Sequence, residues 1–97
     1  MPAYVIYQAD VADEARYADY RAQAGPSVVA AGGKYLVRGG DGEAMEGDLP
    51  ASRTVVIEFP TRAAARAWYQ SAEYAEIRKL RAGIATATLY VVDGVDL

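Results

Sequence analysis

The chain contains no cysteine and no histidine. The first absence excludes disulfides, a thiolate nucleophile and Cys-based zinc or iron–sulfur sites. The second excludes imidazole acid–base chemistry, a Ser-His-Asp triad and ordinary haem ligation. Neither a cofactor nor a bound metal is expected, and any activity should require neither haem nor a transition metal. Large apolar side chains are also scarce. Hydrophobic residues make up 53% of the 97, but 20 of them are Ala and 8 are Tyr, leaving only 23 Val, Ile, Leu, Met, Phe and Trp. A small chain buries a small fraction of its surface, so self-association is expected to supply the missing core. No stretch approaches the roughly 20 consecutive apolar residues of a membrane helix. The start, MPAYVIYQAD, lacks the basic, then apolar, pattern of a signal peptide. A cytoplasmic protein with no membrane partner is the expectation. A net charge of −3 and a pI near 4.8 argue against a nucleic-acid partner, whose phosphates call for a basic surface.

What is present reads as one domain over 1–97, since a single domain takes roughly 100–200 residues. Ala3 to Ala9 is rich in β-branched and aromatic residues and predicts a first strand. Asp13 suits a helix N-cap, and Tyr17, Tyr20, Ala24, Val28 and Ala31 follow at helical spacing. Gly25-Pro26 interrupts that stripe and predicts a broken helix, 13–24 and then about 26–31. Gly32-Gly33 ends it. Lys34 to Arg38 predicts strand two, with Tyr35 and Val37 on one face and Leu36 and Arg38 on the other. From Gly39 to Ser52 runs a Gly-rich acidic loop carrying Asp41, Glu43, Glu46 and Asp48. Arg53 to Phe59 predicts strand three, setting Val55, Ile57 and Phe59 against Thr54, Val56 and Glu58. Thr61 caps a second helix over 62–82, divided near Ser71, and a fourth strand follows from about Ala87 to Val92.

The order β-α-β-β-α-β predicts an α+β, ferredoxin-like fold: a four-stranded antiparallel sheet with two broken helices on one face. The other face is left bare. If Val55, Ile57 and Phe59 meet the helices, Thr54, Val56 and Glu58 look outward, where a second copy laying its own bare face would bury both. The expected partner is therefore the chain itself, as a homodimer.

Several segments carry a resemblance. The opening MPAYVIY, Tyr17-x-x-Tyr20, Gly32-Gly33-x-Tyr35-Leu36-Val37-Arg38-Gly39-Gly40, Glu46-Gly47, Val56-Ile57-Glu58-Phe59-Pro60 and Ala67-Trp68-Tyr69-x-Ser71-x-Glu73-Tyr74 followed by Arg78 lie along almost the whole chain. Together they resemble the domain-of-unknown-function 1330 family. The resemblance implies the dimeric α+β-barrel superfamily, in which two ferredoxin-like sheets close into a barrel. That superfamily includes cofactor-free monooxygenases, haem-degrading enzymes, lactone isomerases and chlorite-degrading enzymes, and it implies no particular reaction here.

Among residues able to do chemistry, Arg38 and Glu58 stand out. Sequential strands and simple alternation predict that both project from the same face into a barrel, where charge is costly unless paired or functional. Arg38 would clamp a carboxylate or enolate, and Glu58 would act as a catalytic general base. The alternative is an ion pair that only fixes sheet and dimer geometry. Tyr20, Tyr74 and Trp68 are candidate substrate-binding residues within an aromatic group that equally suits core packing. Arg78 and Arg81 fit either an anion contact or a solvated helix end. Gly39-Gly40-x-Gly42 does not open a helix, and the acidic loop lacks the spacing of a calcium site.

Two functions follow. One is a small-molecule binding protein or cofactor-independent enzyme, catalysing proton transfer beside a carbonyl or oxygenation of an electron-rich substrate. The other is a non-catalytic dimerisation or stress-associated module with a filled barrel. A cavity of about 300 Å³ or more lined by convergent polar groups favours the first.

Overall fold

A computed structural model describes residues 1–96. The first strand, β1, spans Ala3–Val11 and leads through the Asp13 cap into helix α1, Glu14–Ala30. Strand β2 (Lys34–Arg38) and strand β3 (Arg53–Phe59) flank the acidic loop. Helices α2 (Arg62–Tyr69) and α3 (Ala72–Arg78) run into a 3₁₀ turn, Lys79–Arg81, before strand β4, Ala85–Asp93. The strands form one antiparallel sheet in the order β2-β3-β1-β4. This is the ferredoxin-like α+β arrangement that the element order predicts.

The caps are those expected. Side-chain oxygens of Asp13, Thr61 and Ser71 accept from the backbone N–H of Arg16, Ala64 and Tyr74 at 3.0–3.1 Å. Ser71 does divide the second helical region. The first helix, in contrast, continues through Pro26 rather than breaking there. Proline removes one helical N–H and costs about 3 kcal/mol in a helix interior. Ala24 and Val28 nevertheless stay buried on either side of it, and this burial favours keeping both turns in one helix. Turning from α1 into β2 requires Gly32 at φ +90°. At Gly33 a Cβ would stand 2.7 Å from Val28 Cγ1 and 2.9 Å from the Phe59 ring, so these two side chains pack directly on the bare backbone of the turn.

The core lies between the helices and one sheet face. Val5, Ile57 and Phe59 pack there against Tyr17, Tyr20, Val28, Trp68, Tyr74 and Ile77. On the opposite face, Ile6 sits between Val56 and Tyr90, and Tyr4 between Glu58 and Val92. Tyr90 and Val92 are 48% and 45% exposed, so an apolar strip remains open to solvent, with no helix among the described residues over it. Among the described residues, no helix is long and apolar enough to cross a membrane.

The register corrects one expectation. Tyr35 pairs with Ile57 and Val37 with Val56, so a bulge at Leu36 puts two residues of β2 opposite one of β3. Beyond the bulge the alternation is reversed. Arg38 falls opposite Val55, on the helix side, while Glu58 falls opposite Lys34 and Tyr4 on the bare face. The two charged residues do not face each other.

Candidate functional site

A cavity of about 110 Å³ opens between α1 and the helix-facing side of the sheet. Its apolar wall comes from Val55, Ile57 and Leu89, which alternation along β3 and β4 turns inward. Its polar lining is made of two residue types, arginine (Arg21, Arg38, Arg53) and tyrosine (Tyr7, Tyr17, Tyr20, Tyr35). Among the described residues, no carboxylate lines it.

Each guanidinium is placed by an aromatic ring or a backbone oxygen. Arg38 Cζ lies 4.4 Å from the Tyr35 ring centre, and Arg38 Nη2 donates to the Arg21 carbonyl oxygen at 2.9 Å. Arg53 Cζ lies 4.7 Å from the Tyr17 ring centre, and its Nη2 meets the Glu14 carboxylate at 3.1 Å. Neither Arg21 nor Arg38 has a carboxylate partner among the described residues. Positive charge therefore exceeds its local compensation.

The tyrosine hydroxyls meet in pairs, Tyr7 with Tyr17 at 2.9 Å and Tyr20 with Tyr74 at 2.6 Å. A hydroxyl pair consumes one of its two O–H groups, so one donor in each pair is left for a third partner. Burial pushes the Tyr7 and Tyr20 hydroxyls above the usual tyrosine range, reinforced by their hydroxyl partners. Both are neutral donors at neutral pH. Behind them, Arg81 Cζ lies 5.3 Å from the Tyr7 ring centre and 5.4 Å from that of Tyr20. Its buried Nε has no hydrogen-bond partner.

The sequence candidates are distributed accordingly. Arg38, Tyr20 and Trp68 line the cavity, and Tyr74 stands behind it, bonded to the Tyr20 hydroxyl and with its ring centre 4.2 Å from that of Trp68. Trp68 Nε1 donates to Ser27 Oγ at 3.2 Å, which ties the indole to α1. Glu58 is outside the site. Its carboxylate accepts from the Tyr4 hydroxyl at 3.2 Å on the far side of the sheet. The proton-transfer arrangement expected of Arg38 and Glu58 is not assembled, because the Leu36 bulge separates them.

The profile of DUF1330, a domain of unknown function, matches residues 2–95. The chain belongs to this family. No curated protein matches it. Among solved structures, a protein of unknown function from Rhodopseudomonas palustris is 18% identical, with a TM-score of 0.78 over 99% of this chain and 84% of that one. A protein from Nitrosomonas europaea, provisionally described as an antibiotic biosynthesis monooxygenase, is 19% identical, with a TM-score of 0.57 over 99% of this chain and all of the other. A similarly described protein from Bordetella bronchiseptica is 20% identical, at 0.50, over 98% and 99% of the two chains. At such identities the likeness establishes a shared fold.

In this DUF1330 chain, sequence reasoning overlooked Arg53, Arg21, Tyr7 and Tyr35. Arg53 shares the parity of Val55 and Ile57 on β3, so its side was legible. Its position beside the long loop drew attention to the loop instead. Tyr7 follows Ala3 and Val5 with the same alternation. The cavity is smaller than the 300 Å³ that suits a drug-sized ligand. Wider but shallower hollows of about 300 and 400 Å³ lie on the helical surface, one walled by Ala30, Ala31 and Ala67, the other by Ala22, Pro26 and Ile77. Neither gathers arginines and tyrosines.

Proposed function

We propose that this protein binds a small anionic molecule, a short carboxylate or an enolate, in the arginine–tyrosine cavity. The carrying observation is that three guanidinium groups border one cavity with a single carboxylate, Glu14, bonded to one of them. An enclosed apolar cavity of about 150 Å³ holds benzene, so a volume of 110 Å³ suits a ligand of roughly four carbons. Arg38 is the anion contact, Tyr20 donates its hydroxyl, Trp68 walls the cavity, and Tyr74 holds the Tyr20 hydroxyl in place. With donors and cations but no lining carboxylate among the described residues, the chemistry best supported is stabilisation of negative charge on oxygen. Glu58 takes no part in this reading.

The same donor set supports a second reading, oxygenation of an electron-rich substrate held as its anion without a cofactor. The descriptions of the two monooxygenase-like fold neighbours favour it. For the assembly, we infer a homodimer through the bare sheet faces, since the row of half-buried Ile6 and Val56 with exposed Tyr90 offers the core that the composition lacks.

Crotonate, a planar four-carbon carboxylate, is a suitable probe. Its titration should shift the backbone amide resonances of residues around Arg21, Arg38 and Tyr20, and Arg38→Ala should abolish the shifts while leaving the fold intact. A non-catalytic module with a filled barrel would show no shifts in either protein.

A further inference from the structure

Arg38 reaches the cavity only because α1 lets it approach. The end of its guanidinium lies against the α1 backbone at Gly25, where Nη2 donates to the carbonyl oxygen of Arg21, one helical turn earlier. A Cβ built on Gly25 would stand 3.0 Å from Arg38 Nη2, 3.1 Å from Nη1 and 3.4 Å from Cζ. Those three distances place the missing methyl at the open edge of the guanidinium fork rather than over its flat face, inside ordinary van der Waals contact. Any side chain at 25 therefore occupies the space through which the fork meets the helix.

Glycine is a poor choice for the middle of a helix, where it costs roughly 0.5–1 kcal/mol relative to alanine. Gly25 does not take a positive φ, so no turn requires it. The neighbouring Pro26 is a second locally unfavourable residue, which leaves the Ala22 carbonyl without its helical donor. The feature that the absence of a side chain visibly serves is the seat of Arg38.

We propose that Gly25 is a positioning residue for the anion site. It leaves the gap in which the Arg38 guanidinium docks on α1, and the docked guanidinium, with the Tyr35 ring 4.4 Å from Cζ, is held at the cavity rather than swinging into solvent. This rests on the anion-binding reading above. A long, flexible side chain loses less freedom on ligand binding when it is already docked, so the gap acts on affinity.

The test compares wild type with Gly25→Ala by two readouts. The first is the Arg38 side-chain Nε–H resonance in ligand-free protein, and the second is crotonate affinity. Gly25→Ala should keep or raise the thermal midpoint, collapse the Arg38 resonance toward that of a freely moving arginine, and weaken crotonate about tenfold. An unchanged Arg38 resonance overturns the proposal, as does unchanged affinity in a protein whose wild type binds crotonate. If Gly25→Ala fails to fold, the gap serves packing rather than Arg38 and the proposal is again overturned. If wild type does not bind crotonate, the anion-site reading fails, while the Arg38 resonance still decides whether Gly25 positions the guanidinium.

Discussion

Arg38 and Glu58 lie on opposite faces of the sheet, although they occupy adjacent strands whose simple alternation would bring them together. Arg38 donates to Arg21 in α1, and Glu58 accepts from Tyr4 on the far side. The inserted residue at Leu36 makes the difference. The two side chains should therefore be energetically independent. In a double-mutant cycle of Arg38→Ala and Glu58→Gln, urea unfolding should give stability changes that add within about 0.5 kcal/mol. A larger coupling would mean that the charges sense each other through the sheet.

That bulge shows where sequence reading stops. Period-two patterning placed Val55, Ile57 and Phe59 on the core face correctly because β3 is regular along its whole length. Helical spacing likewise identified Tyr17, Tyr20, Ala24 and Val28 as one buried stripe. In Lys34 to Arg38 nothing local marks an extra residue, since no glycine sits at the bulge and Leu36 is half exposed, at 48%. The cavity was legible only in part for the same reason. Tyr20 and Trp68 belong to regular helices and were found, whereas the side to which Arg38 turns depends on a register that β3 imposes.

The Tyr20–Tyr74 hydroxyl pair is buried, with the two residues 7% and 0% exposed. Tyr74→Phe leaves the Tyr20 hydroxyl without that partner and should destabilise the fold by about 1–3 kcal/mol. Replacing both by Phe should recover part of the loss, because no stranded donor remains. Chemical denaturation of the three variants checks this.

Alkaline pH should act through the same residue. Burial raises the Tyr20 pKa above its ordinary value of 10.0. A group with a raised folded-state pKa contributes stability that is fully present below the unfolded value and is lost as pH rises toward the folded one. Stability should therefore begin to fall above about pH 10, by up to ~1.4 kcal/mol per pH unit for this tyrosine. Tyr20→Phe should flatten that limb of a stability-against-pH curve, and a limb of unchanged slope would contradict the assignment.

The bare sheet face carries the assembly prediction. Light scattering after size exclusion should give twice the 10.4 kDa chain mass. Ile6→Lys, at the centre of the row formed with Val56 and Tyr90, should shift the protein toward monomer by placing a charge in the proposed interface. A wild type that stays monomeric at micromolar concentration would contradict the homodimer.

Recognition of negative charge in the cavity is tested most directly by comparing crotonate with crotonamide, its neutral analogue of nearly the same shape, by calorimetry at low ionic strength. If Arg38 and its neighbours read the charge, crotonate should bind wild type at least about tenfold more tightly than crotonamide, and Arg38→Ala should erase the difference. Equal affinity for the two probes in wild type, or a preference that survives Arg38→Ala, would contradict an anion site centred on Arg38.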